Sequence, residues 1–342
     1  MSRRMKAVFK SRMRHIALWS VATVVVLAVL YAAWWQVLAD HWQTGIDRWT
    51  AMVAKQGWTV TTGDRTVSGF PFTMRIALPA PKAQDTAGNG WTGPATVLEI
   101  SPFMPLEPRF TSHGRHTVTL AGHVPLAIDT DSVTGHLVAA RGGPTSIMLQ
   151  AQHVASGDVV LDGFMLDLRK LDAKPDDPNA ATIAAVSEID RLVLPEGLIP
   201  ILDREVSVAH LALRLRGTIP PGPPAQSLAT WRDAGGTIEL DSFDLDWPPL
   251  TGAGNATLAL DKNLQPELAG SVTIRGLPLL IDRMVQTGML KPGPAVAAKV
   301  VLGLAAKEDA AGMPENKVAV TIQNRVFSIG PAKIAVVPEV KW

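Results

Sequence analysis

The sequence predicts a mainly β fold: a single N-terminal transmembrane helix followed by an elongated, curved antiparallel β-sheet body with a few covering helices. Three observations carry this reading. Residues 16–39 contain no charged side chain, apolar residues recur with period two from Trp58 onward, and clusters rich in Gly, Pro, Asp and Asn punctuate that alternation. At 342 residues the chain has room for one large β domain or about two smaller ones.

The apolar run IALWSVATVVVLAVLYAAWWQVLA occupies residues 16–39. At ~1.5 Å per residue it extends ~36 Å, enough to cross a ~30 Å hydrocarbon layer with some tilt. Six cations (Arg3, Arg4, Lys6, Lys10, Arg12 and Arg14) precede it, no acidic residue occurs before Asp40, and Tyr31, Trp34 and Trp35 lie towards its far end. This asymmetry predicts a basic cytoplasmic tail over 1–15, a signal anchor over 16–39 and an exported body, which places the protein in a bacterial inner membrane with its bulk in the periplasm. The competing reading is a cleaved signal peptide with its peptidase site at Val37, Leu38 and Ala39. Against it stand the length of the run and the bulk of Trp34 and Trp35.

Trp42, Ile46, Trp49 and Val53 recur at helical spacing, with Asp47, Arg48 and Lys55 elsewhere around the wheel, predicting an amphipathic juxtamembrane helix over 40–57 that ends near Gly57. Such a helix either extends the membrane segment as a stalk or folds back to cover the first sheet; folding back is the expected arrangement. Residues 58–342 form the periplasmic β-rich domain. Phe70, Phe72, Met74, Ile76 and Leu78 alternate with Thr73, Arg75 and Ala77, predicting one strand in which Phe70 and Phe72 are core anchors. Further strands are expected at 97–100, 117–120, 126–129, 146–150, 159–169, 188–194, 206–216, 237–247, 256–260, 271–274, 318–322, 326–329 and 334–337. Gly142-Gly143-Pro144, Pro220-Pro221-Gly222-Pro223-Pro224 and Asp261-Lys262-Asn263 separate some of them.

Within 206–216, Val206 and Val208 point one way and Leu211, Leu213 and Leu215 the other, so a β-bulge near His210 is expected; 237–247 changes face in the same manner. Short helices are expected over 198–203 and, from a Ser227 cap, over 227–233. Leu277, Leu280, Ile281, Met284 and Val285 make one apolar stripe, and Val296, Val300, Val301 and Leu304 another. Joined across Lys291-Pro292-Gly293-Pro294, they predict a helical hairpin covering one end or face of the sheet. Two similar stretches, LDGFMLDLR from Leu161 and LDSFDLDWP from Leu240, hint at related halves of about 58–220 and 225–342, although alternating strands also resemble one another for physical reasons alone.

Composition excludes several functions. Cysteine is absent, which removes disulfides, thiolate nucleophiles, cysteine zinc sites and a lipoprotein anchor. Six of the 32 basic residues precede residue 16, leaving 26 against 31 acidic residues, a net −5, so nucleic acid is not an expected partner. The sequence has no phosphate-cradling glycine loop, dinucleotide fingerprint, nucleophile elbow or zinc helix. His113, His116, His123 and His136 are the best metal candidates, but without acidic companions they read as histidines alternating on strands. Asp129/Asp131 and Asp244/Asp246 lie opposite apolar faces and read as solvated pairs. Ser68 lacks elbow spacing, and Gly69 with Pro71 marks a bulged or edge strand start. No catalytic, cofactor-binding or metal residue is expected, no cofactor is expected, and the chain does not read as an enzyme.

The basic N-terminus and membrane helix, the tryptophan-rich helix, Gly57-Trp58 and Ser68-Gly69-Phe70-Pro71-Phe72 are joined late in the chain by LPLLIDRMVQTGMLK from Leu277 and NRVFSIGP from Asn324. Together these features resemble the bacterial envelope proteins classed under domain of unknown function 2125 (DUF2125), over nearly the whole chain. The resemblance implies no activity and no catalytic residue; Gly57, Trp58, Ser68, Gly69, Phe70, Pro71 and Phe72 are its structural motif. A looser architectural likeness is to AsmA-like envelope proteins, which have one N-terminal membrane helix and a long β-rich periplasmic body and are linked to lipid transport and outer-membrane upkeep. The expected function is that of an inner-membrane-anchored periplasmic protein whose curved sheet binds or conveys lipid or another hydrophobic ligand. The alternative is a non-catalytic structural or partner-binding component that meets other envelope proteins through an exposed apolar or sheet-edge patch. In both readings the lipid bilayer is a partner through residues 16–39.

Overall fold

A computed structural model describes residues 3–140, 143–172, 180–308, 314–330 and 332–342; residues 1–2 of the expected tail and Gly142 of the expected turn lie outside them. The fold is mostly β and its strand pairings are antiparallel, with four helices among the described residues. Two compact units divide the chain. Unit 1 comprises Met1–Phe110 and Val118–Val124, and unit 2 comprises Thr111–Thr117 and Pro125–Trp342.

Unit 1 opens with one uninterrupted helix, α1 (Arg3–Ala54), that takes in the tail, the apolar segment and the juxtamembrane region. The strands β1 (Trp58–Thr61), β2 (Thr66–Ser68), β3 (Met74–Leu78), β4 (Lys82–Asp85), β5 (Gly90–Thr92) and β6 (Thr96–Ser101) follow. Strand β3 pairs with β2 and β6, and β4 pairs with β1 and β5. The expected folding back of the juxtamembrane helix does not occur, because no residue near Asp40 interrupts the helix. Its apolar stripe nevertheless covers the sheet, and begins inside the apolar segment: Trp35, Leu38 and Ala39 are buried against Met74, Ile76 and Ile100, with Trp42 and Ile46 packed beside them. Positions 35, 38, 39, 42 and 46 make one continuous helical face. Helix α1 then closes through a turn in which Gly57 takes a φ of +86°.

Phe70 and Phe72 are not core anchors, contrary to the alternation. Strand β3 begins only at Met74, and residues 69–73 form a turn closed by the Thr73 N–H donating to the Gly69 carbonyl at 3.1 Å. Gly69 has a φ of +96°, and a Cβ there would lie 2.5 Å from the Thr73 oxygen, so the turn requires glycine. The turn carries the Phe72 ring outward to 78% exposure, while Met74 and Ile76, which continue the same alternation, have no solvent exposure.

Strand β7 (Met104–Thr119) contributes to both units. Unit 2 contains β8 (Leu126–Ala140), β9 (Gly143–Ser156), β10 (Val159–Lys170), β11 (Ala181–Val193), β12 (Glu205–Arg216), α2 (Pro224–Asp233), β13 (Thr237–Trp247), β14 (Leu250–Leu260) and β15 (Pro266–Arg275). After these come α3 (Leu277–Gln286), α4 (Pro292–Ala305), β16 (Lys307–Glu308), β17 (Pro314–Gln323), β18 (Val326–Ile329) and β19 (Ala332–Val336). From β8 to β15 every strand pairs with the next in sequence, and the run continues through β17, β18 and β19. The expected helical hairpin is present as α3 and α4, inserted between β15 and β17, with Ile281 and Ala295 buried and Lys299 paired with Asp282. The α4 stripe expected to cover the sheet does not do so: Val296, Val300, Val301 and Leu304 are exposed, and Ala295 is the buried residue of that helix.

Three further local expectations are corrected in unit 2. The change of face expected in 237–247 is a bulge on β13, where Ala212 opposes Ser242 and Leu213 opposes Leu240 and the extra residue, Asp241, accepts from Arg214 Nε at 2.6 Å; the bulge expected near His210 is not formed, and β12 pairs continuously there. Residues 198–203 form turns, not a helix, since Pro195 and Pro200 leave too few backbone donors for a helical ladder. Helix α2 starts three residues before the expected cap, with Pro223 at its N-cap, and Ser227 sits buried inside the first turn. Trp231 anchors that helix, donating its indole N–H to the Arg216 carbonyl at 2.7 Å. A Cβ at Gly236 would lie 2.3 Å from its ring.

Candidate functional site

The structure separates the residues singled out in the sequence. The motif residues Gly57, Trp58, Ser68, Gly69, Phe70, Pro71 and Phe72 all lie in unit 1, where Gly57 ends the turn after α1, Trp58 opens β1, Ser68 closes β2 and the other four make the 69–73 turn. The Phe70 ring packs edge-on to Trp35 at 5.7 Å. These are structural positions, and no titratable group is among them.

The histidines do not converge. His113 Nδ1 donates to the Asp131 carbonyl at 2.6 Å, His123 Nδ1 to the Ala121 carbonyl at 3.1 Å, and His116 is buried in β7, where desolvation holds its pKa below the usual imidazole range. Among the described residues, no group of three or more His, Asp or Glu side chains is placed to hold a metal ion. The carboxylate pairs are engaged singly. Asp129 accepts from Arg115 Nε at 2.7 Å and Nη2 at 2.9 Å, and this bidentate bond keeps its carboxyl below the ordinary range. Asp131 meets His153 at 3.1 Å, and Asp244 meets His210 at 3.6 Å.

What sequence reasoning did not single out is a cavity in unit 2. It lies where the start of β9, the end of β10, the start of β11 and the end of β12 come together, and has a volume of about 630 Å³. Antiparallel register builds its wall: Leu168 opposes Ile147, Lys170 opposes Ile183, and Ile183 opposes Leu215. Cross-strand partners share a face, so these four aliphatic side chains and the Lys170 stem lie on one side of the sheet. Leu171 and Ile219 extend the apolar lining, and Thr145, Ser146 and Thr218 add hydroxyls.

The floor of the cavity is shaped by an irregularity in β11. Ala181 opposes Arg216 but Ile183 opposes Leu215, so Thr182 is the unmatched residue. Its hydroxyl donates to the Gly217 carbonyl at 2.7 Å, and its own carbonyl accepts from the Leu171 N–H at 2.9 Å. On the face of β10 opposite Leu168, Asp167 is buried and is satisfied by the Arg169 guanidinium, with Nε at 3.0 Å and Nη2 at 2.5 Å. That pairing raises the Arg169 pKa further, and its hydrogen bonds satisfy the Asp167 side chain. A volume of this size lined by aliphatic side chains with a few polar groups has the character of a small-molecule site. Arg169, Lys170 and Asp172 also line it, so charged groups stand beside the aliphatic wall.

A family model described as an uncharacterized protein conserved in bacteria (DUF2125) matches residues 35–338. No curated protein and no solved structure matches the chain.

Proposed function

The chain belongs to the DUF2125 family, and from that premise we propose that it is a membrane-anchored envelope protein that binds a lipid or another hydrophobic ligand in the β9–β12 cavity. The observation that carries this reading is the set of aliphatic side chains Ile147, Leu168, Leu171, Ile183, Leu215 and Ile219 around about 630 Å³. Each ligand methylene taken from water into such a lining gains about 0.8 kcal/mol. The role is binding or conveyance without catalysis.

The anchor is α1. Six cations on one side of its apolar segment support a cytoplasmic N-terminus, and in a bacterial inner membrane the two units then lie in the periplasm. Retention of the helix is favoured over cleavage after Ala39, because cleavage would withdraw Trp35, Leu38 and Ala39 from the core of unit 1.

The test is native mass spectrometry of the full-length protein extracted in mild detergent, with Ile183→Asp as the comparison. Ile183 is 40% exposed on the cavity wall, so the substitution adds a charge to the site without opening a core. Copurified lipid on the native chain and its loss from the folded variant is the expected result. Equal lipid on both, or none on either, overturns the reading; an envelope protein recovered in place of lipid would favour a partner-binding role.

A further inference from the structure

The apolar segment of α1 is longer in sequence than in free surface. Residues 16–39 carry no charge, yet from Tyr31 onward the helix is engaged by unit 1. Tyr31, the chain's one tyrosine, donates its hydroxyl to the Pro71 carbonyl, and its ring centre lies 6.2 Å from that of Phe70 and 5.9 Å from that of Phe103. Trp34 donates its indole N–H to the Pro102 carbonyl at 3.4 Å. The part of the uncharged run that precedes Tyr31 is residues 16–30, ~22 Å at ~1.5 Å per residue, which falls ~8 Å short of a ~30 Å hydrocarbon layer. About five more residues are needed to span, and they are 31–35.

At that level two loops of unit 1 flank the helix. Strand β3 pairs with β6, with Met74 opposite Ile100, so the turn at 69–73 and the connection at 101–104 emerge from the same end of that strand pair. Their sequences, Gly69-Phe70-Pro71-Phe72-Thr73 and Ser101-Pro102-Phe103-Met104, contain no charge. Phe72 is 78% exposed, Phe103 71% and Met104 54%, an unusual concentration of large apolar side chains on two short loops. The first charges behind them, Arg75 and Glu99, pair with each other at 2.6 Å one residue behind Met74 and Ile100.

We propose that these two loops are inserted into the bilayer interface beside α1, so that lipid covers Phe72, Phe103 and Met104 and unit 1 is seated on the membrane by a collar of aromatic side chains around Tyr31. The occupant is the bilayer because the loops adjoin the part of α1 that a bilayer must reach, and because aromatic rings favour the boundary between headgroups and hydrocarbon. This goes beyond ligand binding in unit 2 and rests only on α1 crossing a membrane.

Since the chain lacks cysteine, single labels test the proposal in the full-length protein. Phe72→Cys, Phe103→Cys and Met104→Cys each carry an NBD fluorophore in vesicles of phosphatidylcholine and phosphatidylglycerol. Lys55→Cys, just past the end of α1 and ~30 Å along the helix axis from Trp35, supplies the aqueous baseline. The expected result at all three loop positions is blue-shifted emission, several-fold weaker quenching by aqueous iodide than at Lys55, and strong quenching by lipids bearing a nitroxide near the headgroup. Iodide quenching equal to that at Lys55 would overturn the proposal. So would protection from iodide and nitroxide lipid alike, which would place a protein on the loops instead.

Discussion

Met74 and Ile100 face each other across β3 and β6, and solvent reaches neither side chain. With Ile76 they are the sheet half of a core whose helical half is Trp35, Leu38 and Ala39. Ile100→Ala is therefore expected to cost about 2–5 kcal/mol, the range for emptying a buried aliphatic site. Phe72→Ala, on an exposed ring four residues from β3's centre, should stay within about 0.5 kcal/mol. Urea midpoints of the two variants check this, and a Phe72→Ala loss matching that of Ile100→Ala would return the ring to the core.

Removing α1 in two steps probes the same core. A chain starting at residue 31 keeps Trp35, Leu38 and Ala39, whereas one starting at Asp40 keeps only Trp42 and Ile46 of the helical face and uncovers much of Met74, Ile76 and Ile100. Limited proteolysis should find unit 1 protected in the first and cut in the second. Equal protection would mean the strands hold their fold without the helix.

Gly276 and Gly288 separate conformational strain from collision. Both have a positive φ, +82° and +74°. At Gly288 a Cβ meets nothing within 4 Å, so Gly288→Ala should cost only the left-handed penalty of about 1–2 kcal/mol. At Gly276 the Cβ would lie 1.7 Å from the Pro249 carbonyl oxygen, so Gly276→Ala should exceed that cost and shift the β14 entrance. Thermal unfolding of both variants ranks them, and equal losses would count against the tight approach.

Acid should weaken the fold through His116. Burial lowers its pKa below the ordinary value of about 6.5, so the unfolded chain binds the proton more readily than the native one. The associated stability is fully present above pH 6.5 and is lost as pH falls through the lowered native value. Melting temperatures measured from pH 7.5 down to 5 should fall for the native chain and less steeply for His116→Gln. Parallel curves would assign the acid sensitivity to other groups.

Much of the strand pattern was legible in the sequence where alternation is clean and its ends are marked. The expected 237–247 coincides with β13, and 206–216 differs from β12 by one residue, because aliphatic side chains recur at period two on either side of each change of face and proline or glycine stands outside. Strand β7 was mostly missed: its buried positions are Pro108, Ser112 and His116, which carry no apolar signal. Phe70 and Phe72 misled because period two continues unbroken into a turn, and only Gly69 with Pro71 marks the change. The cavity was not legible at all. Ile147, Leu168, Ile183 and Leu215 belong to four strands, and it is the register between those strands that gathers them.

The unbroken pairing of sequence neighbours from β8 to β15 also governs how the sheet comes into being. Each strand pairs with its neighbour in sequence across a local connection, the longest being the stretch 217–236 that carries α2, so assembly proceeds by small entropic steps, each new strand docking on the edge left by the last. Such a sheet has a growing front instead of a single nucleus, as in arrays where each unit touches only its neighbours. When the chain becomes free to fold from its N-terminal side, the front moves towards the C-terminus and the newest edge is always the reactive one. An interruption after any complete hairpin then leaves a shorter sheet with a live edge, where a fold closed by distant contacts would leave an unfolded chain.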